Sequence, residues 1–113
     1  KKNLAGLPIL IQTYNRKIVR HGCHLFIVAL DNNKTKRNRD SLFSYLSLRK
    51  IGCGINYKSV TDMTIFKKKF GWHNKTCKKS KYLGDNTISL PIHPNMNKSH
   101  VRYICDLVKK FFM

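Results

Sequence analysis

Four cysteines and five histidines are the side chains of this chain best suited to metal or nucleophile chemistry. Their spacing argues against both. A zinc site draws on close ligand pairs, and the cysteines at 23, 53, 77 and 105 form no C-x-x-C. His21-Gly22-Cys23-His24 and His73-x-x-x-Cys77 are the nearest approaches to ligand spacing. The cysteines read instead as reduced, half-buried thiols of a cytoplasmic protein. General acid–base work calls for paired carboxylates, but there are only five aspartates and no glutamate. Asp40 falls where a helix begins and reads as a cap. His24 opens an apolar run and reads as packed and hydrogen-bonded. His93 stands between two prolines and is open between a site-facing and a turn-stabilising role. His73 and His100 read as surface residues. No Gly-rich phosphate loop or nucleophile elbow occurs. Seventeen lysines are present, but an imine-forming lysine needs desolvation or a neighbouring cation inside a pocket. Each lysine here reads as a solvated surface group.

The charge balance is extreme. Lys and Arg total 23 against five acids, for a net charge of +18. Such a surplus attracts polyanions without specificity. Compositional bias gives the same surplus, since the lysines are scattered. Their densest clusters are Lys67-Lys68-Lys69 and the stretch from Lys75 to Lys81, and neither shows interleaved stacking aromatics in the sequence.

A length of 113 residues with 42% hydrophobic content suits one domain with a real core. The longest apolar block, Leu25–Leu30, is far too short to cross a membrane. No secretory signal is recognisable, and the lack of an initial Met points to a fragment.

The elements that must position any site follow from periodicity. Ile88-Ser89-Leu90-Pro91-Ile92 alternates as a strand with one buried face, and Pro91 puts it at an edge or ends it there. His24–Leu30 is a continuous apolar run, so it reads as the central strand. Leu7–Ile11 is open between a short strand and a tail packed on another surface, with no evident internal partner. Arg16–Gly22 reads as loop. A helix begins near Asn38 or Asp40, carries Leu42, Phe43 and Leu46 on one side, and stops at a left-handed Gly52. Cys53–Val60 reads as a second strand candidate, with Gly54 marking a close backbone approach. A short helix is expected over Asp62–Phe70, ended by Gly71, and a short basic helix or turn over Asn74–Leu83, ended by Gly84. Trp72 is expected to be partly buried. The last helix, capped by Asn97 or Ser99, carries Val101, Ile104, Cys105, Val108, Phe111 and Phe112 as one apolar stripe. The fold class is α+β, a small, mostly antiparallel sheet with helices packed on one face.

Three segments, in this order, carry a resemblance over nearly the whole chain. They are His24-Leu25-Phe26, Arg39-Asp40-x-Leu42-x-x-x-Leu46 and Ser89-Leu90-Pro91-Ile92-His93-Pro94 running into the helix after Asn97. Together they resemble the C-terminal domain of the DegT family of sugar-nucleotide aminotransferases. Those are pyridoxal-phosphate enzymes of the aspartate-aminotransferase fold. The resemblance implies a lead-in segment at 1–22 and an aminotransferase-like domain at 23–113. It also implies amino transfer from glutamate to a keto sugar nucleotide in the intact family. The family's Gly-Ile…His-Tyr-x-Pro-x-His stretch matches Gly54-Ile55-Asn56-Tyr57-Lys58-Ser59-Val60-Thr61. Tyr57 is kept, Asn56 and Thr61 replace the histidines, and Ser59 replaces the proline.

That loop lies near cofactor and sugar in the family, so Asn56, Tyr57 and Lys58 become the candidate substrate-binding residues. Tyr57 is open between stacking on a ligand and packing on the sheet. The family's cofactor lysine, phosphate cradle and pyridine-facing aspartate belong to a large domain that this sequence does not contain. The expectation is therefore no cofactor held by this chain alone and no catalytic residue within it. The implied partner is the N-terminal large domain or a second subunit, with self-association in their absence. The alternative is a small basic nucleic-acid-binding module.

Overall fold

The computed structural model describes residues 1–15 and 17–113. Arg16, within the loop expected over 16–22, lies outside the described residues. Three strands form one antiparallel sheet in chain order: β1 (Ile9–Ile11), β2 (Phe26–Leu30) and β3 (Thr87–Leu90). The helices are α1 (Arg39–Ser47), α2 (Thr64–Phe70), α3 (Lys78–Asn86) and α4 (Lys98–Phe112). Short 3-10 turns occur at Lys2–Leu4 and Val60–Asp62.

The apolar run at the centre of the chain is the centre of the sheet. Within β2, Val28, Ala29 and Leu30 are all buried, as its unbroken hydrophobicity demands. Val28 and Leu30 join Ile88 and Leu90 of β3 on one face, where Leu42 and Leu46 of α1 and Cys105, Val108 and Phe111 of α4 cover them. The two helices that the periodicity picked out thus pack side by side on a single sheet face. In α4 the buried stripe includes Leu107, whereas Val101 is exposed.

The leading segment does have a partner. Ile9, Leu10 and Ile11 pair with Leu30, Ala29 and Val28, and Leu4 is buried in the core. The sheet therefore runs across the boundary expected at residues 22 and 23. Strand β3 stops at Leu90, immediately before Pro91, whose missing N–H cannot continue a ladder.

Cys53–Val60 is not a strand. One residue, Gly54, bridges to Ser89 through Gly54 N–H to Ser89 O at 3.0 Å and Ser89 N–H to Gly54 O at 2.8 Å. The chain then turns away, and the Asn56 side chain folds back so closely that a Cβ on Gly54 would meet its Oδ1 at 2.6 Å. This is the close approach the glycine signals.

Two boundaries differ from the sequence expectation for local reasons. After α1 the left-handed residue is Lys50, at φ 60°, rather than Gly52. Helix α3 runs through Gly84 to Asn86, because side chains satisfy its terminal carbonyls. Asn86 Nδ2 donates to Tyr82 O at 2.8 Å, Thr87 Oγ1 to Leu83 O at 2.7 Å, and Arg39 to Gly84 O at 3.2 Å. Trp72 is partly buried as expected, 44% exposed, with its ring stacked on that of Phe66. As expected, Gly71 ends α2 in the left-handed conformation, at φ 65°.

Candidate functional site

The segment that carries the candidate residues is held by hydroxyl groups. Ser59 and Thr61 are buried, and their hydroxyls lie 2.6 Å apart. Ser59 Oγ lies 2.8 Å from Ser80 Oγ of α3. Thr61 Oγ1 donates to Asn74 Oδ1 at 2.6 Å, and Asn74 Nδ2 donates to Asp62 at 3.0 Å. Lys81 closes the network by donating to Asp62 at 3.2 Å and Asp85 at 2.7 Å. The hydrogen bond from Asn74, followed by the Lys81 ammonium, holds the Asp62 carboxyl below its ordinary range. The carboxylates of Asp85 and Asp62 raise the Lys81 amine in turn.

Asn56, Tyr57 and Lys58 precede this clamp and line one wall of a cleft of about 750 Å³. Its floor is the sheet face turned away from α1 and α4, with Leu10, Ile27, Ala29 and Thr87. Ser80, Leu83 and Gly84 of α3 line it as well. A floor of this kind is apolar and its walls are polar, a combination common in ligand sites. Tyr57 is 74% exposed, so its ring stands in solvent and is not packed on the sheet. Lys58 is exposed. The structure therefore groups the three candidate residues at one cleft. It separates them from Thr61, which faces inward and is committed to Asn74.

Sequence reading missed the role of Arg39. Its side chain is only 6% exposed and spans from α1 to the α3–β3 junction. It donates to Gly84 O at 3.2 Å, to Thr87 O at 3.1 Å and to Asp40 at 2.6 Å. Asp40 is thus the partner of Arg39, and Asn38 is the cap, accepting from Ser41 N–H at 2.8 Å. The adjacent Arg39-Asp40 pair at a helix start was the available signal. Asn97 caps α4, with His100 completing the capping box. His24 is exposed rather than packed, and β2 begins two residues after it.

Among the described residues, no group of three His, Cys, Asp or Glu side chains is placed to hold a metal. Cys23 and Cys77 are exposed, Cys53 is half-buried and Cys105 is buried, and all four are free thiols. Burial pushes the Cys53 thiol up to about 11 and raises that of Cys105 as well. No described helix is long and apolar enough to cross a membrane.

A sequence model described as the DegT/DnrJ/EryC1/StrS aminotransferase family matches residues 1–109. The chain belongs to this family. It is 31% identical over 101 residues to a UDP-4-amino-4-deoxy-L-arabinose–oxoglutarate aminotransferase of Shewanella sediminis, covering 86% of this chain and 25% of that protein. It is 28% identical over 109 residues to an uncharacterized protein of Methanocaldococcus jannaschii, covering 96% of this chain and 28% of the relative. The chain thus spans about a quarter of the length of the curated relatives it matches.

Among solved structures, a candidate sugar aminotransferase of Streptococcus pneumoniae superposes with a TM-score of 0.83 at 22% identity, covering 96% of this chain and 27% of that one. The S. venezuelae DesV structure, in complex with a ketimine intermediate, superposes with a TM-score of 0.75 at 22% identity, covering 97% of this chain and 28% of that one. These likenesses show the fold, a small domain of the aspartate-aminotransferase-like class.

The residues present do not fit a pyridoxal phosphate site. Among the described residues, Lys81 and Lys109 are the only lysines that are not exposed, and each is paired with aspartate. An imine-forming amine must lose its proton near neutral pH, and the pairing of Lys81 raises its pKa instead. All five aspartates have a cationic partner, so none is left for a pyridine nitrogen. The N-terminal amides of α1 and α4 are capped by Asn38 and Asn97.

Proposed function

We propose that this chain is the C-terminal domain of a pyridoxal-phosphate-dependent sugar-nucleotide aminotransferase, and that it contributes a substrate-facing wall and no covalent chemistry. The observation that carries the reading is the cleft of about 750 Å³, lined by Asn56, Tyr57 and Lys58, over the sheet face that α1 and α4 leave uncovered. In this reading Tyr57 stacks on a ring of the substrate. Lys58 pairs with its anionic groups, and the amide of Asn56 hydrogen-bonds a sugar hydroxyl. The large domain, or a second subunit, closes the open side and supplies the cofactor lysine. Leu10, 48% exposed, and its neighbours on this face are then covered. Without that cover the same face drives self-association. Four free thiols suit a reducing cytoplasm.

The chain alone should not transaminate. Incubation with pyridoxal phosphate, borohydride reduction and mass mapping should find substoichiometric adducts spread over several exposed lysines. No amino group should pass from glutamate to a keto sugar nucleotide. One fully labelled lysine together with glutamate turnover would overturn the reading. A second reading, binding of nucleic acid, is favoured by the exposed aromatic rings that stand among the lysines of α2 and the turn after it.

A further inference from the structure

The stretch from Asp62 to Asp85 carries seven lysines against two aspartates. Both aspartates are taken by one amine, that of Lys81. Lys67, Lys68, Lys69, Lys75, Lys78 and Lys79 consequently have no acidic partner among the described residues.

Aromatic rings stand among these cations. The left-handed turn at Gly71 folds Trp72 back on α2, so that its ring lies 5.4 Å from that of Phe66, with 12° between the planes. Phe70 lies 5.4 Å from Trp72 and 6.0 Å from Phe66. Phe66 and Phe70 flank the lysine run in the sequence without interleaving it, and the stack with Trp72 forms only in space, through the turn at Gly71. The cluster is open to solvent: Phe70 is 52% exposed and Trp72 44%. Lys69 Nζ stands 5.4 Å from the centre of the Phe70 ring.

An occupant of this face must satisfy two demands at once. It must present flat apolar surface to the rings, and it must bring anions to the ammonium groups. A neutral apolar protein surface meets the first and would desolvate the lysines without compensation. Duplex nucleic acid meets the second but keeps its base faces stacked inside. Single-stranded nucleic acid meets both, since unstacked bases lie on aromatic rings while the phosphates follow basic side chains.

The geometry points to single-stranded nucleic acid as the partner of this arm. Bases stack on Phe70 and Trp72, phosphates pair with Lys67–Lys69 and Lys75, and sequence is not read. This site is separate from the cleft that Tyr57 lines, and the inference stands or falls independently of the aminotransferase reading.

Trp72 is the only tryptophan and so reports directly on the site. The 113-residue chain is titrated with oligo-dT, with a duplex of equal length and with heparin, a polyanion without bases, at several salt concentrations. Oligo-dT should quench Trp72 and bind more tightly than the duplex, and heparin should leave the fluorescence unchanged. Phe70→Ala, an exposed position, should weaken oligo-dT about five-fold or more, as loss of base stacking does, and leave heparin affinity unchanged. Replacing Lys67–Lys69 with serine should lower the slope of log K against log salt by up to about 2.

Equal quenching by heparin, or wild-type oligo-dT affinity in Phe70→Ala, would reduce the arm to a diffuse cationic surface and overturn the inference. So would an oligomer that Phe70→Ala dissociates while oligo-dT affinity is unchanged, because the occupant would then be a second copy of the chain.

Discussion

Gly84→Ala sets helix propensity against packing, and the structure decides the sign. Gly84 lies inside α3, where alanine is ordinarily favoured by about 0.5–1 kcal/mol. Here an added Cβ would lie 2.5 Å from Ser59 N, 3.1 Å from Ser59 Cβ and 3.2 Å from Ser59 Cα. The obstacle is largely backbone, so the loop must move and no flexible side chain can give way. Overpacking of this kind costs about 1–3 kcal/mol. Displacing Ser59 also strains its contacts with Thr61 and Ser80, each worth roughly 1 kcal/mol net. Weighing these against the propensity gain leaves a destabilisation of about 1–2 kcal/mol. For a domain of this size that lowers the melting temperature by roughly 4–10 °C. Gly52→Ala is the control, because it has nothing within 4 Å and no positive φ. It should stabilise by about 0.4–1 kcal/mol through the unfolded state. Thermal and urea unfolding followed by circular dichroism measures both variants. A Gly84→Ala protein as stable as wild type would show that the Ser59 loop does not press on α3, and the account of how Asn56, Tyr57 and Lys58 are positioned would fail.

Three further outcomes test other parts of the structure. Arg39→Met leaves the Gly84 and Thr87 carbonyls unpaired in the interior and should cost about 2–4 kcal/mol; an unfolding free energy from urea titration within about 0.5 kcal/mol of wild type would remove Arg39 from its bridging role. At pH 8, Ellman's reagent should modify Cys23 and Cys77 first and Cys53 and Cys105 slowly, with Cys53 accelerating only as pH nears about 11; four equal rates would contradict the burial. The clamp should be pH-dependent at both ends. Asp62 titrates lower in the folded state than its ordinary 3.8, so its stabilisation is present above that value and lost as pH falls through the lowered one. Lys81 titrates higher than its ordinary 10.5, so its stabilisation is present below that value and lost as pH rises through the raised one. Proteolytic nicking between Tyr57 and Asp62 should rise in acid and in strong base and stay flat between. Asp62→Asn should flatten the acid limb, and an unchanged acid limb in that variant would refute the assignment.

Some features were fixed by local chemistry and could be read residue by residue. The continuous apolar run ending at Leu30 had to be a central strand, because both its faces need cover. The stop at Leu90 follows from the missing N–H of Pro91, and the Asn38 and Asn97 caps follow from short side chains beside free helix amides. Family membership was legible as well, since it rests on ordered short motifs along the chain.

Other features depended on what meets across the fold. A three-residue strand such as β1 carries too little periodicity to name its partner, and only closure of the sheet pairs it with β2. Gly84 looks like a helix stop until Arg39, 45 residues away in sequence, supplies the hydrogen bond that lets the helix continue. Thr61 and Tyr57 both belong to the candidate loop by motif, yet burial beside α3 turns one inward and leaves the other at the cleft. Sequence proposes a residue's chemical type, but its burial and its partners are set by chain segments far away. Those contacts decide whether a polar side chain holds the fold or meets a ligand.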